Sequence, residues 1–432
     1  MTNYLPEDAR DINGSRERRL LLLAGLFLGL NALALSLATT RGVVWAHFWA
    51  PAGWLVVMLL AHLLLDHFRP LRDPLLLPLI GFMMGWGLLL QDRLAPNFLG
   101  RQFVWFALGT FLLVLVAIWP RNLRWLRRYR YSWLTIGILL LVATLLFGVN
   151  PAGYGAALWL KLPFIPGVYF QPSELLKLLL VVFLASYFDE REQLAPLSGI
   201  ARLRSLAFLA PLGLMWGLCI VLLIWQRDLG AATLFFMAFL AMLYLATGDR
   251  WYVLGGLLMM LVAGVIGYFA FDLVALRVDA WINPWPDADD RAFQIVQSLY
   301  AIGAGNVLGQ GIGQGFPDYI PVVHSDFVFA AVAEEWGLVG SLAVAGCFAV
   351  LAHRGLRIAS RSRRPFRLYL AAGITILFAV QAFLIMGGVT KLLPLTGVTL
   401  PFMSYGGSSL VMSCVMAGLL LYLSTAEAEI GL

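Results

Sequence analysis

Residues 251–270 read WYVLGGLLMMLVAGVIGYFA and contain no charged side chain. As an α-helix rising about 1.5 Å per residue, this stretch is roughly 30 Å long, which is the thickness of the hydrocarbon layer of a bilayer. Comparable runs recur from near residue 19 to near residue 425, and 61% of all residues are hydrophobic whereas only 12% are charged. No soluble core can accommodate this composition, so the chain is predicted to be an all-α, polytopic membrane protein.

The apolar runs predict about twelve transmembrane helices, and an even number places both termini on one side of the membrane. Arginines are concentrated in alternate loops, which follow the second, fourth, sixth and tenth spans. By the positive-inside rule, these loops and both termini are cytoplasmic. The predicted spans are 19–37, 43–66, 74–91, 102–119, 131–148, 172–188, 205–224, 229–247, 251–273, 326–351, 368–390 and 406–425.

The charge pattern argues against a nucleic-acid partner, because the net charge of +6 comes from short arginine clusters and not from a continuous basic surface. The polar first eighteen residues do not have the pattern of a removable signal peptide. Corresponding broken spans in two halves, which are typical of many transporters, are not evident. The membrane itself, with its lipids, is the expected environment of the whole chain.

The segment QPSELLK, from Gln171 to Lys177, opens the sixth span. Pro172 is favourable at a first helical position, and Glu174 and Lys177 lie three residues apart on one helix face. A lysine near a helix N-terminus is suited to hold a diphosphate. Only three of the 30 basic residues are lysines, and all three lie in or just below predicted outer loops. A plain charge pair that stabilises the helix start is the alternative.

The predicted extracytoplasmic loop 274–325 is far longer than a simple connection requires. It is acidic, with Asp279, Asp287, Asp289, Asp290 and Asp318. Residues 293–302, FQIVQSLYAI, predict an interfacial amphipathic helix, and a glycine-rich turn region follows. These glycines lack the lysine and hydroxyl of a phosphate loop, so nucleotide binding is not indicated.

Polar residues also surround the last spans. Glu334 and Glu335 lie within a predicted span, where carboxylates are costly and indicate function. His324 is better explained as structural than as catalytic, and no spaced ligand set predicts a metal cage. A divalent cation such as Mg²⁺ or Mn²⁺ could still bridge carboxylates and a diphosphate, whereas no organic cofactor is indicated. Asp228 is predicted to cap the span that follows it.

Five segments in order resemble the shape, elongation, division and sporulation (SEDS) family, whose members include FtsW and RodA. They are Phe170–Lys177, Asn283–Gln294, Gln297–Leu299, Ile320–Glu335 and Leu393–Ser409. The resemblance implies the SEDS fold for residues 71–432. Residues 1–70 form an N-terminal extension with two predicted extra helices.

The resemblance further implies glycosyl transfer at the outer face of the bacterial cytoplasmic membrane. The family polymerises lipid II, the undecaprenyl-diphosphate-linked disaccharide peptide, into glycan strands and releases undecaprenyl diphosphate. Its partner is a class B penicillin-binding protein, a transpeptidase that cross-links the strands. Without the resemblance, the residues also allow a lipid flippase or an ion-coupled transporter. A carrier, however, places its site near the midplane of the membrane, whereas the polar candidates here lie at or just below the predicted outer interface.

By the same resemblance, the essential loop aspartate falls on Asp287, which is the expected general base, with Asp289 and Asp290 as alternatives. Glu174, Lys177 and the outer-loop tryptophan Trp159 are expected to line the same cavity. The other expected substrate contacts are Gln171, Ser173, Asn283, Gln294, Gln297, Ser298, His324, Asp326, Lys391, Ser404, Tyr405, Gly406, Gly407 and Ser408.

Four positions depart from the family pattern. An arginine is missing before Trp159, Arg227 stands where proline is common, and an asparagine is missing near Ile385. Lys391 occupies a position that is commonly glycine. Lys391 is therefore a candidate for a second diphosphate contact that compensates for the missing arginine.

Overall fold

Helices make up most of the computed structural model, which describes residues 7–40, 42–120, 122–151, 156–161, 167–191, 213–214 and 216–430. The helices are α1 (Glu7–Thr40), α2 (Trp49–Phe68), α3 (Leu76–Leu94), α4 (Pro96–Ile118), α5 (Arg124–Arg128), α6 (Arg130–Phe147), α7 (Pro172–Arg191), α8 (Trp216–Trp225), α9 (Leu229–Thr247), α10 (Arg250–Ala270), α11 (Asp272–Ile282), α12 (Phe293–Gly305), α13 (Val328–Arg361), α14 (Pro365–Val389) and α15 (Gly407–Ile430). Short 3₁₀ helices lie at Trp45–His47, Trp285–Asp287 and Pro317–Tyr319. The all-α prediction is confirmed.

Each predicted span corresponds to a helix, although the seventh does so only through α8, since much of 205–224 lies outside the described residues. The arginines at 202 and 204, which belong to one of the arginine-rich loops, also lie outside them. Within the described part of the chain, nine helices are long and apolar enough to cross a membrane. Helix α7 is not among them because it carries charged residues near both ends.

The first helix begins at Glu7, well before the predicted start at residue 19. Within this polar beginning of the helix, the charge of Glu17 has buried partners. Glu17 is only 1% exposed; its carboxylate lies 2.5 Å from the guanidinium of Arg72 and 2.7 Å from Nδ1 of His62. A charge can be buried at acceptable cost only when it is paired in this way.

One compact unit of the chain comprises residues 1–120, 266–358 and 381–432. Within it, α4 and α15 pack closely because small residues face the neighbouring helix. A Cβ at Gly109 would lie 2.9 Å from Sγ of Cys414, and one at Gly418 would lie 2.6 Å from the carbonyl oxygen of Leu113. Small residues at such contacts are the usual means by which membrane helices approach one another.

Helix α13 in this unit is broken at Gly337, although the sequence predicts one continuous span there. Gly337 has φ of +65°, which is accessible to glycine without strain. The backbone N–H of Leu338 donates to the carbonyl of Asn306, and that of Gln310 donates to the carbonyl of Glu334. The glycine-rich segment after α12 thus satisfies the backbone groups that the break releases.

A second compact unit comprises residues 121–265 and 359–380. Strand β1 (Leu160–Lys161) pairs antiparallel with β2 (Tyr169–Phe170), and β2 leads directly into α7. Helix α7 packs against α6 and α9. At the α6 contact, Gly137 leaves no room for a larger side chain, because a Cβ there would lie 2.6 Å from Cδ1 of Leu176. The hairpin and this packing fix the start of α7.

Candidate active site

Asp287 lines a cavity of about 550 Å³ in the first unit. One wall is a face of α11, and the opposite side is the 3₁₀ turn Trp285–Asp287 with the residues that follow it. The carbonyl oxygen of Asp287 accepts hydrogen bonds from the N–H groups of Asp290 and Ala292, at 3.2 and 3.1 Å. These bonds hold the turn, and the exposed side chain of Asp287 is available to a ligand.

The other charged residues of the cavity were not expected. Asp272, Asp279 and Arg291 line it, whereas Asp289 and Asp290 are exposed outside its lining. Asp279 also accepts a hydrogen bond from the hydroxyl of Tyr268 at 3.1 Å. Asp279 and Asp272 are thus two carboxylates that share the cavity with Asp287. The spacing of Asp272, Asp279 and Asn283, which puts the three on one face of α11, is the signal that could have indicated them.

Asn283 lies at the end of α11 and lines the cavity, as predicted for a ligand contact. Its N–H donates to the carbonyl oxygen of Asp279 at 2.8 Å, which ends the helix and turns the chain toward Asp287. The side chain of Asn283 is exposed.

Helix α12 confirms the predicted helix over 293–302. Ser298 is fully buried, and its hydroxyl donates to the carbonyl oxygens of Ile295 and Val389, at 2.8 and 3.3 Å. Its hydroxyl is therefore engaged within the fold. Gln294 is partly buried and donates to the carbonyl oxygen of Pro321 at 3.5 Å. Gln297 is also partly buried.

The long loop is fastened to the last loop by two side chains of α11. Arg277 donates to the carbonyl oxygen of Thr396 at 3.1 Å, and Trp281 donates to that of Lys391 at 3.2 Å. Lys391 has φ of +60°, a left-handed conformation that favours glycine. Glycine adopts this conformation without strain, which explains why it suits the position. A lysine adopts it only at a cost in conformational energy, because of its Cβ atom.

The segment around His324 is held by Ser404 and Tyr405, which lie just before α15. Tyr405 donates its N–H to the carbonyl oxygen of His324 at 2.9 Å, and the buried Ser404 donates its hydroxyl to that of Ser325 at 2.6 Å. The ring of His324 lies 5.6 Å from that of Tyr405 and 5.6 Å from that of Phe98. Burial lowers the pKa of His324. These contacts fit the structural role predicted for His324.

Asp326 lies beside this segment and is partly buried. Burial raises the pKa of its carboxyl to about 6, although the hydroxyl of Ser325, at 2.7 Å, and the charge of Arg277 oppose the shift. Sequence reasoning missed Arg277. The available signal was its position in a predicted outer loop, where basic residues are few.

The remaining predicted contacts, which are partly buried around the start of α15, are Gly406, Gly407 and Ser408.

Glu334 and Glu335, which appeared functional from their position, hold the glycine-rich segment. Glu335 accepts from Nε of Arg93 at 3.0 Å and from the N–H of Gly313 at 3.1 Å. Glu334 accepts from the N–H of Phe316 at 2.7 Å. Arg93 also binds Asp318 at 2.9 Å. Each carboxylate therefore has a structural partner at Oε1, whereas Oε2 of both is buried without a hydrogen-bond partner among the described residues.

In the second unit, the start of α7 confirms the predicted helix start and charge pair. Nζ of Lys177 lies 2.5 Å from Oε2 of Glu174, and the residues are only 3% and 8% exposed. Gln171 donates its side-chain amide to the hydroxyl of Ser173 at 3.1 Å, and its carbonyl oxygen accepts from the N–H of Glu174. The pair thus lies in the interior of its unit.

Asp228 caps α9 as predicted, since its carboxylate accepts from the N–H of Ala231 at 3.1 Å. It also lies within the electrostatic reach of Ser173, Glu174 and Lys177. Burial raises the pKa of Asp228. Sequence reasoning missed this third ionisable member of the cluster, because the two segments that meet here are about fifty residues apart.

Trp159 is placed by a backbone bridge to Val149, with hydrogen bonds of 3.2 and 2.8 Å, immediately before β1. Its side chain is partly buried. That Trp159, Glu174 and Lys177 share one cavity with Asp287 stays a prediction. No group of three or more His, Cys, Asp or Glu side chains is placed to hold a metal ion among the residues described.

A family model for cell cycle proteins of the FtsW, RodA and SpoVE type matches residues 74–429. Peptidoglycan glycosyltransferase RodA of Mycobacterium tuberculosis is 35% identical over 426 aligned residues, which cover 94% of this chain and 90% of that protein. FtsW of Geobacter sulfurreducens, a probable peptidoglycan glycosyltransferase, is 38% identical and covers 76% of this chain and 85% of its own. The mycobacterial alignment is longer than segment 74–429 and therefore extends into the N-terminal helices.

Solved structures are similar as well. A chain from a peptidoglycan synthase complex that coordinates polymerization and crosslinking matches with a TM-score of 0.68 and 27% identity, over 82% of this chain and 98% of its own. The rod shape determining protein RodA of Thermus thermophilus matches with a TM-score of 0.58 and 27% identity, over 82% of this chain and 96% of its own.

Proposed function

This chain belongs to the FtsW, RodA and SpoVE family of cell cycle proteins, and on that premise we propose that it is a peptidoglycan glycosyltransferase. The proposed substrate is lipid II, which is joined into glycan strands with release of undecaprenyl diphosphate. The observation that carries the proposal is the cavity at Asp287, which lies in the long acidic loop. The proposal is supported by a curated relative named as a peptidoglycan glycosyltransferase, whose alignment covers 94% of this chain.

In the proposed reaction, a sugar hydroxyl forms a bond to the anomeric carbon of a second lipid-linked sugar while the bond from that carbon to the diphosphate breaks. Asp287 accepts the proton of the attacking hydroxyl, and the diphosphate leaves with the bonding electron pair. The exposed carboxylate at the rim of the cavity suits this task, because the hydroxyl must reach it from a substrate held in the membrane. Displacement in one step inverts the configuration at the anomeric carbon.

Charge neutralisation of the leaving diphosphate is the second requirement of this reaction. We assign it to Lys177, and Lys391 is the candidate for a second contact. Lys177 is bound to Glu174, so the diphosphate would have to compete with that carboxylate for the ammonium group. Arg291 lies in the cavity itself and offers a further cation close to Asp287.

A divalent cation, Mg²⁺ or Mn²⁺, is proposed only as an accessory that arrives with the diphosphate. Among the described residues no three candidate ligands lie together, and no step above depends on a metal ion. Polymerisation measured with a chelator and after addition of each metal tests this part of the proposal.

We further propose that the protein is a multi-pass component of the bacterial cytoplasmic membrane, with cytoplasmic termini and an extracytoplasmic active site, and that it acts with a class B penicillin-binding protein. The arginine loops support this orientation. Single cysteines introduced at the exposed positions Asp289 and Arg128 test it. An impermeant thiol reagent applied to intact cells should label only the first. Labelling of Arg128→Cys alone would reverse the orientation.

The decisive experiment is polymerisation of purified lipid II by the purified full-length protein, alone and with its transpeptidase partner. Asp287→Asn keeps the size of the side chain but removes the base, so we expect a loss of about 10²–10⁴-fold. Asp289→Asn and Asp290→Asn are matched controls from the same loop and should cost little. Full activity of Asp287→Asn would refute the catalytic assignment, and inactivity of the unaltered protein with its partner would refute glycosyl transfer.

A further inference from the structure

Four arginines line a cavity of about 290 Å³ in the second unit. Arg124 and Arg127 come from α5, whereas Arg364 and Arg367 come from the beginning of α14. The two segments are far apart in the sequence but meet at this cavity. Its polar lining is completed by Asn122 and Asp189.

The charge of the cavity is strongly positive. Among the described lining residues, Asp189 is the only carboxylate, and it is already bound to Nε of Arg127 at 2.6 Å. Because four guanidinium groups and a single carboxylate are found in the described lining of one cavity, this space is electrostatically suited to an anion. The N-terminus of α14, a 25-residue helix, adds a positive dipole end.

Membrane orientation alone does not explain this convergence. The positive-inside rule requires only that arginines occur in the right loops, not that their side chains line one cavity. Arg128 in α5 and Arg361 at the end of α13 are near these arginines in the sequence and are exposed, but they do not line the cavity. Only some of the arginines in these loops therefore meet around a common space.

We propose that this cavity is a binding site for a phosphate group, carried either by the headgroup of an anionic phospholipid or by a soluble phosphate ester. Guanidinium groups match phosphate oxygens in pairs, which an ammonium group cannot do. The cavity also includes the apolar Leu123 and Phe366, and it lies at the start of α14, a helix long and apolar enough to cross a membrane, where a lipid headgroup is expected. This site is separate from the cavity at Asp287 and does not depend on the glycosyltransferase assignment.

The test measures binding to the purified full-length protein in a neutral detergent. Phosphatidylglycerol, phosphatidylcholine and inorganic phosphate are the probes. The variant Arg124→Gln/Arg364→Gln removes two cavity cations, and Arg128→Gln/Arg361→Gln removes two cations that are near in the sequence but outside the cavity. The two variants have equal net charge. A third variant, Arg124→Lys/Arg364→Lys, keeps the charge but removes the paired hydrogen-bond geometry.

We expect the unaltered protein to prefer phosphatidylglycerol to phosphatidylcholine. The cavity glutamine variant should lose about tenfold or more in affinity, which is 1.4 kcal/mol, whereas the outside variant changes little. The lysine variant should be intermediate. If phosphate binds and is lost in the cavity variant but phosphatidylglycerol does not bind, the ligand is soluble.

Equal losses in the two glutamine variants would overturn the proposal, because only general surface charge would then matter. Failure of both phosphatidylglycerol and phosphate to bind would overturn it too. If the cavity variant does not fold, a competition experiment on the unaltered protein tests the proposal instead. Inorganic phosphate should displace bound phosphatidylglycerol, and absence of displacement would overturn the proposed site.

Discussion

Replacing Lys177 with methionine should destabilise the protein, because it leaves the carboxylate of Glu174 in the interior without its cation. At the observed separation of 2.5 Å, the attraction within the pair is about 7 kcal/mol in an effective dielectric of about 20. Desolvation offsets part of this attraction. Removal of one partner from a buried pair typically costs about 3–5 kcal/mol, and at 3% and 8% exposure the pair is not screened by solvent.

The double variant Glu174→Gln/Lys177→Met removes both charges and should recover most of the loss, since a neutral pair leaves no uncompensated charge. Unfolding in detergent, followed by tryptophan fluorescence, gives the stabilities of the two single variants and the double variant. We expect a coupling free energy of about 2–3 kcal/mol from this cycle. A Lys177→Met protein as stable as the parent would refute the reasoning about the buried pair.

Polymerisation by the same proteins separates the structural role of Lys177 from its proposed role at the diphosphate. If the double variant regains stability but remains inactive, the ammonium group acts on the substrate. If it regains both stability and activity, the pair only stabilises the start of α7, and the diphosphate must be neutralised by another cation.

Two further variants address strain and loop anchoring. Lys391→Gly should stabilise the protein by about 0.5–1 kcal/mol in the same unfolding measurement, because glycine adopts the left-handed conformation without strain. Lys391→Ala keeps a Cβ atom and should give no gain in stability. A loss of polymerisation in both variants would support the diphosphate contact. Arg93→Gln should cost about 3–5 kcal/mol by leaving Glu335 unpaired, and hydrogen exchange at Gly313 should rise. Unchanged exchange at Gly313 would contradict the anchoring role of Arg93.

The helices could be predicted from the sequence because each membrane helix forms its backbone hydrogen bonds within itself and therefore corresponds to one apolar run of residues. The start of α7 was equally local: Pro172, Glu174 and Lys177 lie within two turns, and the predicted pair is present. The Asp228 cap was predicted for the same reason, since an N-cap depends only on neighbouring residues.

The remaining features depend on contacts between distant segments. Arg93 and Glu335 are 242 positions apart, so nothing near either residue indicates that they pair. The break at Gly337 required the carbonyl of Asn306 as a partner for the freed N–H of Leu338. Asp279 joins the cavity because α11 continues as a helix beyond the end of the predicted span.

The buried contact of Glu17 with His62 and Arg72 joins the N-terminal helices to the segment that follows them. Arg72 is 3% exposed and lies just before the segment that the family model matches, whereas its carboxylate partner comes from α1. Loss of the first two helices would remove Glu17 and His62 together and leave the guanidinium of Arg72 without these buried partners. The extension and the segment that follows it are therefore joined by a buried charge network, so that a change in one of them alters the electrostatics of the other.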